Sequence, residues 1–280
     1  MWESSLGSLL DHKPGEVVAR LNGVSLTYHE PRQETEAVRD CSFEVRRGEF
    51  VSLVGPSGCG KTSVLSMLAG ITEPSSGSVS VLGRRPDPRA GSTGYMLQRD
   101  HLLDWRTIED NVLLSLEVKG ALSDESRAYA LELLDKCNLS AFRRHYPRQL
   151  SGGMRQKAAL VRTLAFSPEL LLLDEPFSAL DYQTRLLLSS EVHGIIKRGG
   201  YTAVLVTHDI SEAIAMSDRI LVFTGRPARV RREVKVLLSE RENGECISPL
   251  ERRAMAGFND YFDLVWKELE GTGGTGGKSR

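Results

Sequence analysis

The chain has 280 residues, enough for one or two domains with a full core and no need of disulfides or a structural metal. Apolar residues make up 40% and charged residues 26%, a balance that excludes global disorder. Lys and Arg number 36 against 37 Asp and Glu, so the net charge is −1 and the overall basic character of a dedicated nucleic-acid binder is missing.

Met1–Leu10 has no basic start and too short an apolar run for a signal peptide. Nowhere do eighteen apolar residues follow one another, so no membrane span is expected and a membrane role would run through a partner. In chain order, short Val-, Leu- and Ile-rich runs predict strands at Phe50–Val54, Val79–Leu82, Thr93–Leu97, Leu170–Asp174, Ala203–Thr207 and Ile220–Phe223. Helical patterns lie between them at Gly60–Ala69, Gly152–Phe166, Tyr182–Arg198 and Ser211–Met216. This alternation reads as α/β. Leu170–Leu173 is apolar at every position, as expected of a parallel strand covered on both faces. Residues 99–167 carry helical patterns and no convincing strand, one helix starting at Ser123, so an α-helical insert is expected there.

The chain's end is different in kind. Residues 237–247 read as a polar linker. Ser248-Pro-Leu-Glu251 has the form of a capping box, and an apolar stripe runs from Leu250 through Phe258 and Val265 to Leu269. One amphipathic helix over 248–270 is predicted, either packed on its own body or held for a regulatory or dimer contact. A Gly/Thr-rich tail, 271–280, is expected to be disordered. Cys41, Cys59, Cys137 and Cys246 form no C-x-x-C pair, so neither a disulfide framework nor a zinc site is indicated, and a reducing compartment fits.

Gly55-Pro56-Ser57-Gly58-Cys59-Gly60-Lys61-Thr62 fits G-x-x-x-x-G-K-[ST], after a strand and before a helix. Glycines let backbone amides turn inward on phosphate oxygens, and a helix N-terminus adds partial positive charge. Lys61 then reaches the β- and γ-phosphates, and the Thr62 hydroxyl ligates Mg2+. Cys59 either fills a small site or carries an acidified thiol. Leu170–Asp174 ends in two carboxylates: Asp174 can hold the Mg2+ shell and Glu175 can take a proton from an attacking water.

Leu150-Ser151-Gly152-Gly153-Met154, 23 residues before Asp174 counted from Ser151, resembles the LSGGQ signature of ABC transporter ATP-binding subunits, with Met154 in place of Gln. Ser151 can cap a helix whose free amides, with Gly152 and Gly153, face a phosphate. The resemblance extends over residues 16–236 and implies further roles. Tyr28 is similar to the aromatic that stacks on adenine, though taken alone it reads first as a strand-core residue. Ser63 continues the phosphate loop. Gln98 matches the Q-loop glutamine that senses Mg2+ and the attacking water. Ser178-Ala-Leu-Asp181 matches the D-loop, and His208 the switch histidine at the γ-phosphate.

The fold so implied is a P-loop NTPase: a RecA-like core with an N-terminal β-subdomain, plus the helical insert carrying the signature. The resemblance implies an ATPase that works as a head-to-tail, ATP-bridged dimer on the inner face of the cell membrane. Its partners would be a separate permease subunit and, indirectly, a solute-binding protein, with no nucleic acid. His101–Thr107, Asn111-Val112 and Gly225–Arg229 are similar to the nitrate, sulfonate and taurine importer subgroup, although Asp104 stands where that subgroup has Pro. The competing classes are a non-transport ABC ATPase (repair or ribosome-associated) and a P-loop kinase or GTPase, with an ABC importer ATPase for a different solute class as the alternative within transporters. The first would bring a second cassette or a long coiled coil, and the second would lack Ser151-Gly-Gly and His208.

Overall fold

The computed structural model describes residues 15–31, 33–238 and 247–271. Its strands are β1 (Val17–Glu30), β2 (Gln33–Arg46), β3 (Phe50–Val54), β4 (Ser76–Val81), β5 (Thr93–Met96), β6 (Leu170–Asp174), β7 (Thr202–Thr207), β8 (Arg219–Phe223) and β9 (Val230–Lys235). Its helices are α1 (Lys61–Leu68), α2 (Ile108–Val118), α3 (Asp124–Lys136), α4 (Gly152–Leu164), α5 (Tyr182–Arg198), α6 (Ile210–Met216), α7 (Pro249–Arg253) and α8 (Phe258–Glu270).

A six-stranded sheet runs β5-β6-β7-β3-β8-β9, parallel except for β9, which pairs antiparallel with β8. Every residue of β3, β6 and β7 is buried. Leu171 and Leu173 enter the core under the helical insert, while Leu170 and Leu172 enter the opposite core around α1. Strand geometry sends successive side chains to opposite faces, so two buried faces require apolar residues throughout. A second, antiparallel sheet of order β2-β1-β4 packs over α1 and closes that core.

The insert holds α2, α3 and α4. Thr107 caps α2 and Ser123 caps α3, the latter with Ser126 in a capping box. The turn ahead of α2 is tied by Asn111, which has no exposed surface. Its amide donates to the carbonyls of Leu103, Arg106 and Thr107 at 2.9–3.2 Å and accepts from the Leu103 amide at 2.6 Å. That network fixes the turn without a proline at Asp104.

Several expected elements are redrawn. β1 and β2, each 14 residues long, were absent from the expected strands. Register shifts around Gly23 break the alternation of β1 into short pieces, which hides the strand from a period-two reading. β9 has four charged residues in six; such charge protects a sheet edge and masks a strand. β4 starts at Ser76 and excludes Leu82, which turns out of the sheet at φ 52. α4 ends at Leu164, where Ser167 reverses the chain at φ 51.

The single helix expected over 248–270 is two helices. The Ser248–Glu251 capping box starts α7, and Gly257 at φ 91 breaks the backbone before α8. At the edges of the expected linker, Leu238 and Ile247 are buried; residues 239–246, including Cys246, lie outside the described residues, as do 1–14, 32 and 272–280. Phe258 and Val265 of α8 share a core with Ile210, Ile214, Val222 and Val234, and Arg252 of α7, wholly buried, donates to the Ser217 carbonyl at 3.0 Å.

A chain ending at Leu238 is therefore expected to keep the circular dichroism of the sheet but to melt lower. Full burial of one large apolar side chain is worth about 1.5–3 kcal/mol, and Phe258 and Val265 would both be lost. An unchanged melting temperature would place α7 and α8 outside the cooperative core.

Candidate functional site

Glycine makes the loop after β3 possible. Gly58 and Gly60 take φ 70 and φ 123. A Cβ on Gly60 would lie 2.4 Å from the Ala37 carbonyl oxygen, and one on Gly55 would meet the Phe223 Cβ at 3.0 Å. The loop can thus pass close beneath β2 and β8 only with hydrogen at these positions. Gly60 caps α1 with no side-chain hydrogen bond, and the first turn carries no acidic residue, so the leading amides of α1 are left for an anion.

Lys61, 4% exposed, folds back over this loop. Its ammonium donates to the carbonyls of Gly55 at 2.8 Å and Pro56 at 2.9 Å, and its Nζ lies 3.7 Å from Cys59 Sγ. The thiol of Cys59, 1% exposed, fills the inside of the loop. Thr62 and Asp174 meet across it, the hydroxyl donating to the carboxylate at 3.2 Å. Tyr95 donates to the other Asp174 oxygen at 3.4 Å. Burial pushes the Asp174 carboxyl above its ordinary range; the Thr62 hydrogen bond opposes the shift and the neighbouring Glu175 charge adds to it.

Glu175 takes φ 46, a left-handed conformation that costs a non-glycine residue energy and is held here at the end of β6. Its amide still donates to the Val206 carbonyl at 2.9 Å, so the residue leaves the sheet and turns its carboxylate toward the loop edge. There Gln98 Nε2 donates to Glu175 Oε2 at 3.3 Å, and His208 Nδ1 stands 3.3 Å from the same oxygen. Three residues from three strand ends thus converge on one atom. Gln98 and Glu175 line a cavity of about 340 Å3 together with Ser57, Gly58, Gly60, Lys61, Thr62 and Ser63, and His208 reaches it only through its contact with Glu175. Tyr28 stands at its mouth, 39% exposed, with its hydroxyl donating to Ser63 Oγ at 3.1 Å, so it is no core residue of β1.

Ser151, Gly152, Gly153 and Asp181 do not line this cavity. Ser151 caps α4 by accepting from the Met154 amide at 3.4 Å. Asp181 caps α5, accepting from the Thr184 amide at 3.0 Å, and bonds from Thr184 hold its carboxyl below the usual range. The cavity at the loop after β3 and the exposed helix start at Ser151 are therefore separate surfaces of the chain. Arg226 was not among the expected site residues. It lines the cavity and donates from Nε and Nη2 to the Gly58 carbonyl at 3.1 and 2.9 Å. Its signal in the sequence was its place in Gly225–Arg229, a likeness to a subgroup and not a part of the expected site.

The oxygen donors Thr62 and Asp174 suit a hard divalent cation. Among the described residues no group of three or more His, Cys, Asp or Glu encloses a metal, so a cation here would also need substrate phosphate oxygens, as Mg2+ sites commonly do.

The family described as ABC transporter matches residues 38–178. The chain is 48% identical over 246 residues to an uncharacterized ABC transporter ATP-binding protein, YtlC of Bacillus subtilis, covering 88% of this chain and 93% of that one. It is 36% identical to the nitrate import ATP-binding protein NrtD of Synechocystis, covering 86% and 90%. It is 31% identical to the aliphatic sulfonates import ATP-binding protein SsuB of Bacillus cereus, covering 89% and 98%. Among solved structures, the dimeric ATP-binding cassette MJ0796, bound to ADP and Pi, superposes with a TM-score of 0.68 at 33% identity, covering 78% of this chain and 98% of that one.

Lys61→Ala removes the one ammonium at the loop. A charge-assisted hydrogen bond is worth about 1.5–3 kcal/mol, so ATP affinity should fall roughly ten- to a hundredfold in equilibrium titration. Unchanged affinity would mean that phosphate does not bind at this loop.

Proposed function

The chain belongs to the ABC transporter family of ATP-binding proteins, and from that membership and the site's geometry we propose that it is the ATP-hydrolysing subunit of an importer of the nitrate, sulfonate and taurine type. The observation that carries the catalytic part is the meeting of Gln98, Glu175 and His208 at a single carboxylate oxygen beside the phosphate loop.

ATP would lie with its phosphates on the amides of residues 58–63 and its base against the exposed ring of Tyr28. Lys61 exchanges loop carbonyls for phosphate oxygens. Thr62 and Asp174 would hold Mg2+, with Gln98 facing it; the ion would supply neutralisation of phosphate charge. Glu175 Oε2 accepts the proton of a water whose oxygen bonds to the γ-phosphorus, and the bond from that phosphorus to the ADP oxygen breaks. His208 steadies the γ-phosphate and the base together.

The exposed start of α4 has no partner phosphate within its own cavity. Ser151, Gly152 and Gly153 would face the nucleotide of a second copy, giving a head-to-tail dimer with ATP at each junction. The dimeric state of the cassette MJ0796 supports this arrangement. Closure adds phosphate contacts and hydrolysis removes them, so nucleotide state sets the opening of the dimer.

Among the described residues no helix is long and apolar enough to cross a membrane. We place the separate permease subunit against the helical insert, at a cavity of about 690 Å3 lined by Arg127, Arg143 and Arg144 with Glu109 and Asp110. The chain would then act from the inner face of the membrane, with a solute-binding protein reaching it only through the permease. Residues 16–236 form the cassette in this reading, and α7 and α8 are an appended cover.

Glu175→Gln keeps the size and a carbonyl oxygen but takes no proton. ATP binding should survive while turnover falls about 10²–10⁴-fold. With Mg2+ and ATP, but not ADP, the variant should elute at dimer mass in size-exclusion chromatography. Wild-type turnover in this variant would remove Glu175 from the role of base. Ser151→Arg should leave ATP binding intact and stop both closure and hydrolysis; surviving ATPase activity would refute the composite junction.

A further inference from the structure

We propose that Arg185 is a positioning residue that ties the surface facing the partner's nucleotide to this chain's own switch histidine, an inference that rests on the head-to-tail reading above. The tie begins at the start of α4. A Cβ on Gly153 would lie 2.9 Å from Thr184 Cγ2, and one on Gly152 would lie 3.4 Å from Leu180 Cδ2. The helix start that would serve the partner's phosphate thus packs on Leu180 and Thr184, most tightly where Gly153 meets Thr184.

Arg185 is the next residue, on the first turn of α5. Its amide donates to the Asp181 carbonyl at 2.9 Å. Its guanidinium reaches in two directions: Nη2 donates to the Leu180 carbonyl at 3.2 Å, and Nη1 pairs with Asp209 Oδ2 at 3.4 Å. Nε is buried and makes no hydrogen bond, so the orientation of the guanidinium is set by those two contacts.

Asp209 holds the residues around His208 from both sides. Its Oδ1 accepts from the Glu212 amide at 3.1 Å as the N-cap of α6, and its own amide donates to Thr207 Oγ1 at 3.1 Å. His208 lies between Thr207 and Asp209 and faces Glu175 Oε2. A displacement of the Ser151–Gly153 segment is passed through Leu180 and Thr184 to Arg185, and from there through Asp209 to His208. The ion pair is sheltered, with side-chain exposures of 24% and 25%. A forked, planar cation serves two acceptors on separate elements at once, which a lysine ammonium on its flexible stem does poorly.

The test uses the full chain and four variants: Arg185→Met, Arg185→Lys, Asp209→Asn and the double variant Arg185→Met with Asp209→Asn. Asn can still cap α6 but carries no charge. Melting temperature, ATP affinity and kcat are measured for each, with Glu175→Gln as the reference for the site itself. A misplaced catalytic group commonly costs one to two orders of magnitude, so Arg185→Met and Asp209→Asn should each lower kcat about tenfold, with ATP affinity held within about twofold. Arg185→Lys should fall between wild type and Arg185→Met. The double variant should lose no more than the worse single, because both break one tie.

Unchanged kcat in Arg185→Met overturns the proposal. So do losses that multiply in the double variant, or a fall in ATP affinity that matches the fall in kcat. If Arg185→Met does not fold, Asp209→Asn and Arg185→Lys decide alone: wild-type kcat in both overturns it. Wild-type turnover in Glu175→Gln would instead defeat the reading of the site, whatever the Arg185 variants do.

Discussion

Val54 lies opposite Thr207, and Asp174 opposite Val206, in a parallel ladder. This register delivers the phosphate loop, the Asp174–Glu175 pair and His208 to one edge of the sheet. A shift by one residue would turn Asp174 to the other face and bury Glu175 in its place. All three strands are buried on both faces, and their side chains pack into separate cores above and below the sheet. Chemistry at the edge therefore depends on hydrophobic packing well below it. The polar groups there are few, and each is tied to a strand end.

Electrostatics at that edge is arranged around cation and anion sites of opposite character. The start of α1 offers unpaired amides, and Lys61 rests on loop carbonyls that a phosphate can displace. On the other side, Asp174 has both oxygens engaged by hydroxyls, and burial raises its carboxyl. A divalent cation between phosphate and Asp174 would relieve that burial and favour the charged carboxylate. In the proposed reading, substrate and ion would complete one another's sites.

The parts that could be read in the sequence are those where spacing itself carries the physics. Gly55, Gly60 and Lys61 must stand where they do, because a Cβ would collide and the lysine must reach back over the loop. Leu170–Leu173 announced its double burial by having no polar residue. β1 and β2 were not legible as strands because bulges reset the alternation near Gly23. The break in the C-terminal stripe was also hidden: Gly257 leaves the apolar spacing intact while reversing the backbone. Arg226 and Arg185 share one reason for being missed. Each acts through a backbone carbonyl of a remote or neighbouring turn, and a carbonyl acceptor leaves no mark on composition or spacing.

Asp181 shows how one residue can satisfy both local and remote demands. Its carboxylate caps α5, and that cap holds the turn on which Leu180, Thr184 and Arg185 are arrayed. Gly152 and Gly153 press on the same turn because they have no side chains to hold it away. The glycines of the signature thus do two things at once. They leave the first helix amides uncovered, as the proposed contact with a partner's phosphate would need, and they bring α4 into contact with α5. The first property needs only one small residue at a helix start. The second bears on Gly153, since a methyl group there would push Thr184 and with it the base of the Arg185 fork. An anion-binding helix end that is also a packing surface cannot move without moving what it packs on. In the proposed dimer, that constraint would let the phosphate loop and the Ser151–Gly153 segment behave as one device.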